Sequence, residues 1–519
     1  MSELSPRRRM LVLAICCMSL LIVSLDVTVL NVALPAMEKD LGASVAGMQW
    51  ALDAYTLVLA SLLMLAGSTA DRIGRRRVFL TGLVLFTLGS VLCSLAPNLD
   101  SLIVFRMIQA VGGSMLNPVA MSIITNTFTD PRERARAIGV WGAVVGISMA
   151  AGPIVGGALV DSVGWRSIFW INLPVGLAAL LLTLRYVPES RAPKARRPDP
   201  VGQVLVIALL GSLTYAIIEA PGSPVSHTLA FGAVALAALL GLLYYEPRRT
   251  EPLIDLRFFR SVPFSGATVV AVSAFAALSG FLFLSTLYLQ NVRGLSALHA
   301  GLWMLPMAVM CFVCAPISGR LVGSRGPRVP LLTAGVAITA SGVLFAGFDA
   351  ESSNVTLVIG YFLFGLGFGF VNAPITNTAV SGMPRAQAGV AAAVASTSRQ
   401  TGGTLGVAVI GAVLASGIGA GPYKEVFVSA SRPGWWIIAG CGLAVLVLGA
   451  VTTGGWARKT AERAAGRLED GQIGEFGEIE GGEGGGGRSE GGSRADTEAD
   501  ADGGGETGVR GAAGARTAK

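Results

Sequence analysis

From residue 10 to residue 456 the chain is a series of long apolar stretches, divided by short charged clusters and by Gly/Pro breaks. A membrane-spanning helix needs roughly 20 apolar residues. Segmenting on those breaks predicts about fourteen spans. Their limits are 10–34, 48–70, 78–96, 99–124, 137–160, 168–187, 201–220, 228–245, 263–289, 300–322, 329–348, 355–379, 388–418 and 434–455. The stretch 388–418 is long enough to bend. The predicted fold class is therefore an all-α integral membrane protein.

Composition agrees. Of 519 residues 52% are hydrophobic and only 14% charged, against about 25% charged in soluble proteins. The bilayer is the first partner this implies. The net charge of +7 does not point to nucleic acid, because the basic residues sit in short clusters beside apolar segments. Those clusters (7–9, 72–77, 132–136, 191–197, 248–260, 320–328, 385 and 458–467) fall on one side of the alternating topology. Loops 97–100, 221–227 and 349–354 on the other side are poor in them. The positive-inside bias then puts both termini in the cytoplasm. Residues 1–30 mimic a signal peptide, but the apolar run is too long, holds Asp26 and lacks a small-x-small cleavage site. It reads as an uncleaved first span.

All six cysteines lie in apolar segments, so no disulfide framework is implied. Cys311-x-x-Cys314 lacks the second pair or histidine that a metal site needs. No metal or cofactor is expected. The histidines, His227 and His299, lie in outer loops or helix ends, and no nucleophile elbow or P-loop is present. An enzyme is not expected, and with no nucleotide motif the energy for transport would come from an ion gradient.

Residues 67–77 read G-S-T-A-D-R-I-G-R-R-R. A topology anchor would need the arginines but not Asp71 inside a glycine-bracketed turn. A weaker echo, G-R-L-V-G-S-R-G-P-R at 319–328, closes the tenth span. Gly319 matches Gly67, Gly326 matches Gly74, Arg328 matches Arg76, and Gly323 stands where Asp71 would be. Such internal symmetry is common in secondary transporters. The expected organisation is a cytoplasmic N-terminus (1–9), a six-helix bundle (10–187), a linker with two extra spans (188–262), a second six-helix bundle (263–456) and a disordered Gly- and acid-rich cytoplasmic tail (457–519).

The 67–77 loop resembles the hallmark loop of the major facilitator superfamily. The segments 25–35, 106–113 and 146–157 resemble the first-helix, fourth-helix and fifth-helix motifs of its drug:proton antiporters. Residues 164–174, 288–290 and 398–403 resemble segments of the fourteen-helix, EmrB/QacA-type branch. The resemblance implies two six-helix bundles plus two extra central helices. It also implies a proton-coupled exporter of small hydrophobic drugs or antibiotics, working as a monomer in the bacterial cytoplasmic membrane. A secondary transporter of an endogenous metabolite is the alternative, against which the fifth-helix motif argues. Heavy use of Gly, Ala and Arg fits a high-GC bacterium, in which export of a self-made antibiotic is a natural role.

Asp26, Asp53 and Arg106, on three different spans, fall at comparable depth and are the candidate proton-coupling groups. A charge at that depth needs a partner, a wet cavity or a proton. An arginine neighbour and dehydration pull a carboxyl's proton affinity in opposite directions, so a site whose solvation alternates can load and release a proton. The plainer alternatives are a polar network of Asp26 with Thr28 and Asn31, and an interfacial Asp53. Asn31, Gln49, Gln109, Asn372 and Arg399 are further candidate cavity side chains. Two acids against one arginine tilt the outer cavity toward cationic cargo. On the fifth span Gly146, Gly152, Pro153, Gly156 and Gly157 are small or kinking residues that permit close packing. The resemblance adds that they seal and hinge the outward gate. It likewise makes Gly67, Asp71, Arg72, Gly74 and Arg75 an inner-gate latch, with Asp71 relieved by Arg72, by Arg75 or by a helix of the other half.

Overall fold

The computed structural model describes residues 5–464 and 466, apart from 193–197, 250, 350, 381–387 and 419–422. Among the described residues the regular structure is helical. Fourteen helices are long and apolar enough to cross a membrane. In order they are Pro6–Leu41, Val45–Ile73, Arg75–Ser94, Leu99–Thr127, Arg132–Ser162, Ser167–Tyr186 and Pro200–Glu219. Val225–Arg248, Val262–Val292, Leu305–Arg325, Arg328–Ala346, Asn354–Val380, Val390–Gly417 and Lys424–Thr452 follow. Each overlies one predicted span. The first and the last run furthest beyond their predictions, through Arg7–Arg9 and through Arg432-Pro433. Charge marks the edge of the hydrocarbon, whereas a helix can continue through it into the headgroup layer.

Helix starts follow local chemistry. The Ser44 hydroxyl accepts the Gly47 amide ahead of the second helix. Asn98 and Ser101 form a reciprocal capping box before the fourth. The Asp130 carboxylate accepts the Arg132 and Glu133 amides before the fifth. Each satisfies donors that no helical carbonyl reaches. The second and tenth helices end alike, on Gly74 at φ 122° and Gly326 at φ 82°, conformations that favour glycine. These are the paired glycines of the sequence echo, so the repeat is one of backbone geometry.

Within the first half the third and second helices pack on the fourth, and the first packs on the fifth. Within the second half the eleventh packs on the fourteenth, the ninth on the thirteenth and the tenth on the twelfth. Two seams join the halves: the second helix against the thirteenth, and the fifth against the tenth and the short helix Ala297–Trp303. The seventh helix packs on the eighth and also lies against the second and thirteenth. Of its apolar residues the eighth buries Ala235, Ala238 and Leu242, while Leu229, Leu236, Leu240 and Tyr244 stay exposed, the surface of a helix bathed in lipid.

Helix also occupies residues 455–464, the start of the region expected to be disordered. Ala457, Ala461 and Ala464 bury one face of it, and the Thr460 hydroxyl accepts the Val262 amide at 3.1 Å. An i, i+4, i+7 alanine stripe is too sparse to stand out against the Gly-rich composition that follows. The rest of the expected tail, from 467, lies outside the described residues, as does Arg385.

Candidate functional site

Asp26 and Arg106 are brought together as an ion pair whose side chains are 2% and 1% exposed. Gln109, one helical turn beyond Arg106, joins them: its Oε1 accepts from Arg106 Nη1 at 2.6 Å and its Nε2 donates to Asp26 Oδ1 at 2.8 Å. Asn172 Nδ2 on the sixth helix donates to the same Oδ1 at 2.9 Å. The Ser90 hydroxyl on the third helix accepts from both Gln109 and Asn172, at 2.8 and 3.2 Å. Arg106 Nε donates to the Ala51 carbonyl at 3.3 Å, and its guanidinium lies 4.3 Å from the Tyr55 ring centre. Five helices of the first half thus converge on one ion-paired cluster. Charge-assisted bonds of this kind are the strong ones in a dry interior.

Asp26, Arg106 and Gln109 were legible as polar residues in apolar runs. Ser90, Tyr55 and Asn172 were not singled out. Asn172 did carry a signal, as a polar residue inside the predicted span 168–187; in the structure it follows a break at Ile171, where the sixth helix is interrupted between Ser167–Trp170 and Asn172–Tyr186. Asn31 lies nearby in sequence but turns to its own helix, donating to the Val27 carbonyl at 2.9 Å. Thr28 likewise bonds the Leu25 carbonyl at 3.0 Å.

Asp53 is not in this cluster. It is fully buried on the seam between the second and thirteenth helices. Its Oδ1 meets the Thr56 hydroxyl at 3.4 Å and its Oδ2 has no partner among the described residues. Thr404 donates to Thr56 across the seam at 2.9 Å. Gln49 Nε2 donates to the Val407 and Ala408 carbonyls at 3.1 and 2.8 Å. Gln49, Asp53 and Thr56 therefore do share one face, and that face meets the other half.

The fifth-helix stripe packs two ways. Gly152 and Gly156 receive Thr28 and Val29 of the first helix. Gly157 lies against the backbone of Ala297 and Leu298, Gly301 against the Pro153 carbonyl, and Gly146 faces Phe312. One turn on, the Asp161 carboxylate accepts the Ala297 and Leu298 amides at 3.1 and 2.9 Å. A π turn, Tyr288–Val292, ends the ninth helix and aims two more side chains across the seam. Gln290 Nε2 donates to the Val32 carbonyl at 2.8 Å and Asn291 to Glu38 at 3.2 Å. The halves are thus closed at the end poor in basic residues. Asp161 spans the seam, and Arg166 pairs with Asp40 at 2.6 Å.

At the opposite end Asp71 pairs with Arg75 at 2.9 Å, while Arg72 is exposed. The loop is tied to the segment after the sixth helix: the Arg75 amide donates to the Ser190 carbonyl and the Arg76 amide to Glu189, at 2.9 and 3.1 Å. The Glu189 carboxylate occupies the space a side chain at Gly74 would need. Gly67 faces Pro118 of the fourth helix. The hydrogen bonds and ion pairs of this loop among the described residues all stay within the first half and the segment that follows it.

This is the architecture of a many-helix membrane transporter, with an ionisable cluster at membrane depth and two halves that meet along a sealed seam. The chain belongs to the Major Facilitator Superfamily, whose sequence profile matches residues 16–407. It is 38% identical over 416 residues to multidrug resistance protein Stp of Mycobacterium tuberculosis, covering 80% of this chain and 77% of that one. It is 40% identical over 403 residues to the tetracenomycin C resistance and export protein of Streptomyces glaucescens, covering 77% and 74%. A bacterial homologue of the human lysosomal transporter Spinster, solved inward-facing and occupied, shares the fold with a TM-score of 0.62 at 17% identity, over 89% of this chain and 99% of that one.

Proposed function

We propose that this protein exports small hydrophobic, drug-like molecules in exchange for protons. Alternating access would take place between residues 10–187 and 263–456, with residues 188–262 carrying the two additional helices. The observation that carries the reading is the Asp26–Arg106–Gln109 cluster: a sealed ion pair in a chain whose relatives are named for drug resistance and export. A carboxylate so fully bonded takes up a proton only when the cluster is pulled apart, which ties proton loading to helix movement. Asp53 is the second carrier: its carboxyl is buried on the seam with Oδ2 unpartnered among the described residues, so parting the halves is what would bring water to it. One chain supplies every group, which supports a functional monomer. The basic clusters orient both termini to the cytoplasm of a bacterial cell, so the end closed by Asp161 and Gln290 faces outward.

Everted membrane vesicles test this. Adding hydrophobic antibiotics to respiring vesicles should release lumenal protons, seen as recovery of a quenched pH-gradient dye. No release across a broad panel, from membranes shown to contain the protein, sinks the reading.

The same reading makes Asp71 a latch released in this state, held by Arg75 until the cytoplasmic ends close. Asp71→Asn should insert with unchanged topology, checked by cysteine labelling of loops, yet export about tenfold more slowly, the scale of a coupling of 1–3 kcal/mol. Normal export would leave the loop a topology anchor.

A further inference from the structure

We infer that Arg399 is the residue by which this transporter selects the charge of its cargo, and that the preferred cargo carries an acidic group, a carboxylate or an ionised phenol. The inference rests on the export reading and sharpens its substrate class.

Charge at membrane depth divides unevenly once the pairs are known. Asp26 and Arg106 cancel each other in a sealed cluster. Asp53, the acid without a cation, is fully buried and out of reach of a cationic cargo in this state. Inside the ninth to fourteenth spans the only acidic residue is Glu425, in the first turn of the last helix; Asp349 and Glu351 lie in the loop between the eleventh and twelfth. Arg399 stands nine residues beyond Val390, the start of its span, or about 14 Å into it. None of the ion pairs among the described residues includes it.

Its guanidinium donates through Nη2 to the Thr376 hydroxyl, and its Nε is buried without a partner among the described residues. The neighbouring Ser398 hydroxyl does not turn to it, donating instead to the Val394 carbonyl. Yet the arginine is not sealed. It is partly exposed, as are Asn372 and Gln400, and Thr376 is exposed. Accessible polar groups at this depth do not face lipid, so they line a wet space. Phe275 lies 6.0 Å from the guanidinium and packs edge-on against Phe368, which places a flat apolar wall beside the charge. An unpaired, planar, always-charged donor next to aromatic rings suits an aromatic acid. The count of two acids against one arginine pointed to cations only because it left Asp26 unpaired and Asp53 accessible.

Binding to the purified full-length protein tests the assignment, using three ligands of one scaffold: 1-naphthylacetate, 1-naphthylacetamide and 1-naphthylmethyl-trimethylammonium. In the wild type the carboxylate should bind about tenfold tighter than the amide, the scale of one charge-assisted hydrogen bond, and the ammonium most weakly. Arg399→Gln should bring the carboxylate-to-amide ratio near unity, Arg399→Lys should keep most of the preference, and Arg399→Glu should turn it toward the ammonium. No preference for the carboxylate in the wild type, a measurement that needs no variant to fold, overturns the inference. So does an unchanged ratio in Arg399→Gln. If the carboxylate binds through Arg399 but releases no protons from everted vesicles, the export reading fails and the assignment of Arg399 stands.

Discussion

Asp26→Asn will abolish drug-driven proton release, and it will be the least stable of the variants at the buried pair. Removing one partner of a buried ion pair costs about 3–5 kcal/mol, because the other charge is left without compensation. The two partners differ in how they escape. In Asp26→Asn the guanidinium remains among Tyr55, Gln109 and the Ala51 carbonyl, and arginine does not deprotonate in proteins. In Arg106→Gln the remaining carboxyl can take a proton and keep the Gln109 and Asn172 amides as partners. The order of thermal stability in detergent should therefore be wild type, then Arg106→Gln, then Asp26→Asn. The double variant Asp26→Asn/Arg106→Gln, neutral and close in shape, should recover much of the loss. None of the three should release protons on addition of drug. Undiminished proton flux in the double variant would show that the cluster holds the helices together and couples nothing.

The second large effect is expected at the outer seam. A Cβ placed on Gly157 would lie 2.5 Å from the Ala297 carbonyl oxygen and 2.6 Å from the Leu298 Cα. Those are backbone atoms, so no rotamer change relieves the clash, and overpacking of this kind costs about 1–3 kcal/mol. The state with the outer end closed carries that strain, whereas a state in which the fifth helix and Ala297–Trp303 have parted does not. A bias of this size shifts the balance between the two states roughly 5- to 150-fold. Gly157→Val should therefore accumulate outward-open and export little. A cysteine introduced at Leu298 should react faster with an impermeant maleimide applied from outside. The native cysteines all lie in membrane spans, where they add little background. Gly142→Ala on the same helix, where a Cβ meets nothing within 4 Å, is the control and should behave as wild type. Wild-type labelling and export by Gly157→Val would mean that this contact is not what closes the outer end.

Both predictions draw on residues visible in the chain, but not on the same kind of visibility. Asp26, Arg106 and Gln109 stood out because a polar residue in an apolar run is costly wherever its helix points. The fourteen spans stood out for a related reason: hydropathy is read by the bilayer along one axis, the depth. Even the Gly74–Gly326 repeat is a local matter, since each turn needs its glycine irrespective of neighbours. Depth and local backbone are thus properties of each segment alone, and the sequence determined them by itself.

Rotation and partnership were decided elsewhere. A helix that is apolar all round carries little amphipathic signal of which side faces a neighbour. Hence Asp26 and Asp53, similar in depth and chemistry, met opposite fates: one is ion-paired inside the first half, the other stranded on the seam. Asp71 found Arg75, and its loop found Glu189 rather than the second half. Asp161, near the end of the fifth helix, holds the backbone of Ala297 and Leu298. Small residues set those rotations by fixing which backbones can touch, as Gly152 does with Thr28 and Gly157 with Ala297. That information is spread over pairs of helices far apart in the chain, so only the assembled bundle could state which charges cancel and which, like Arg399, are left without an ion pair among the described residues.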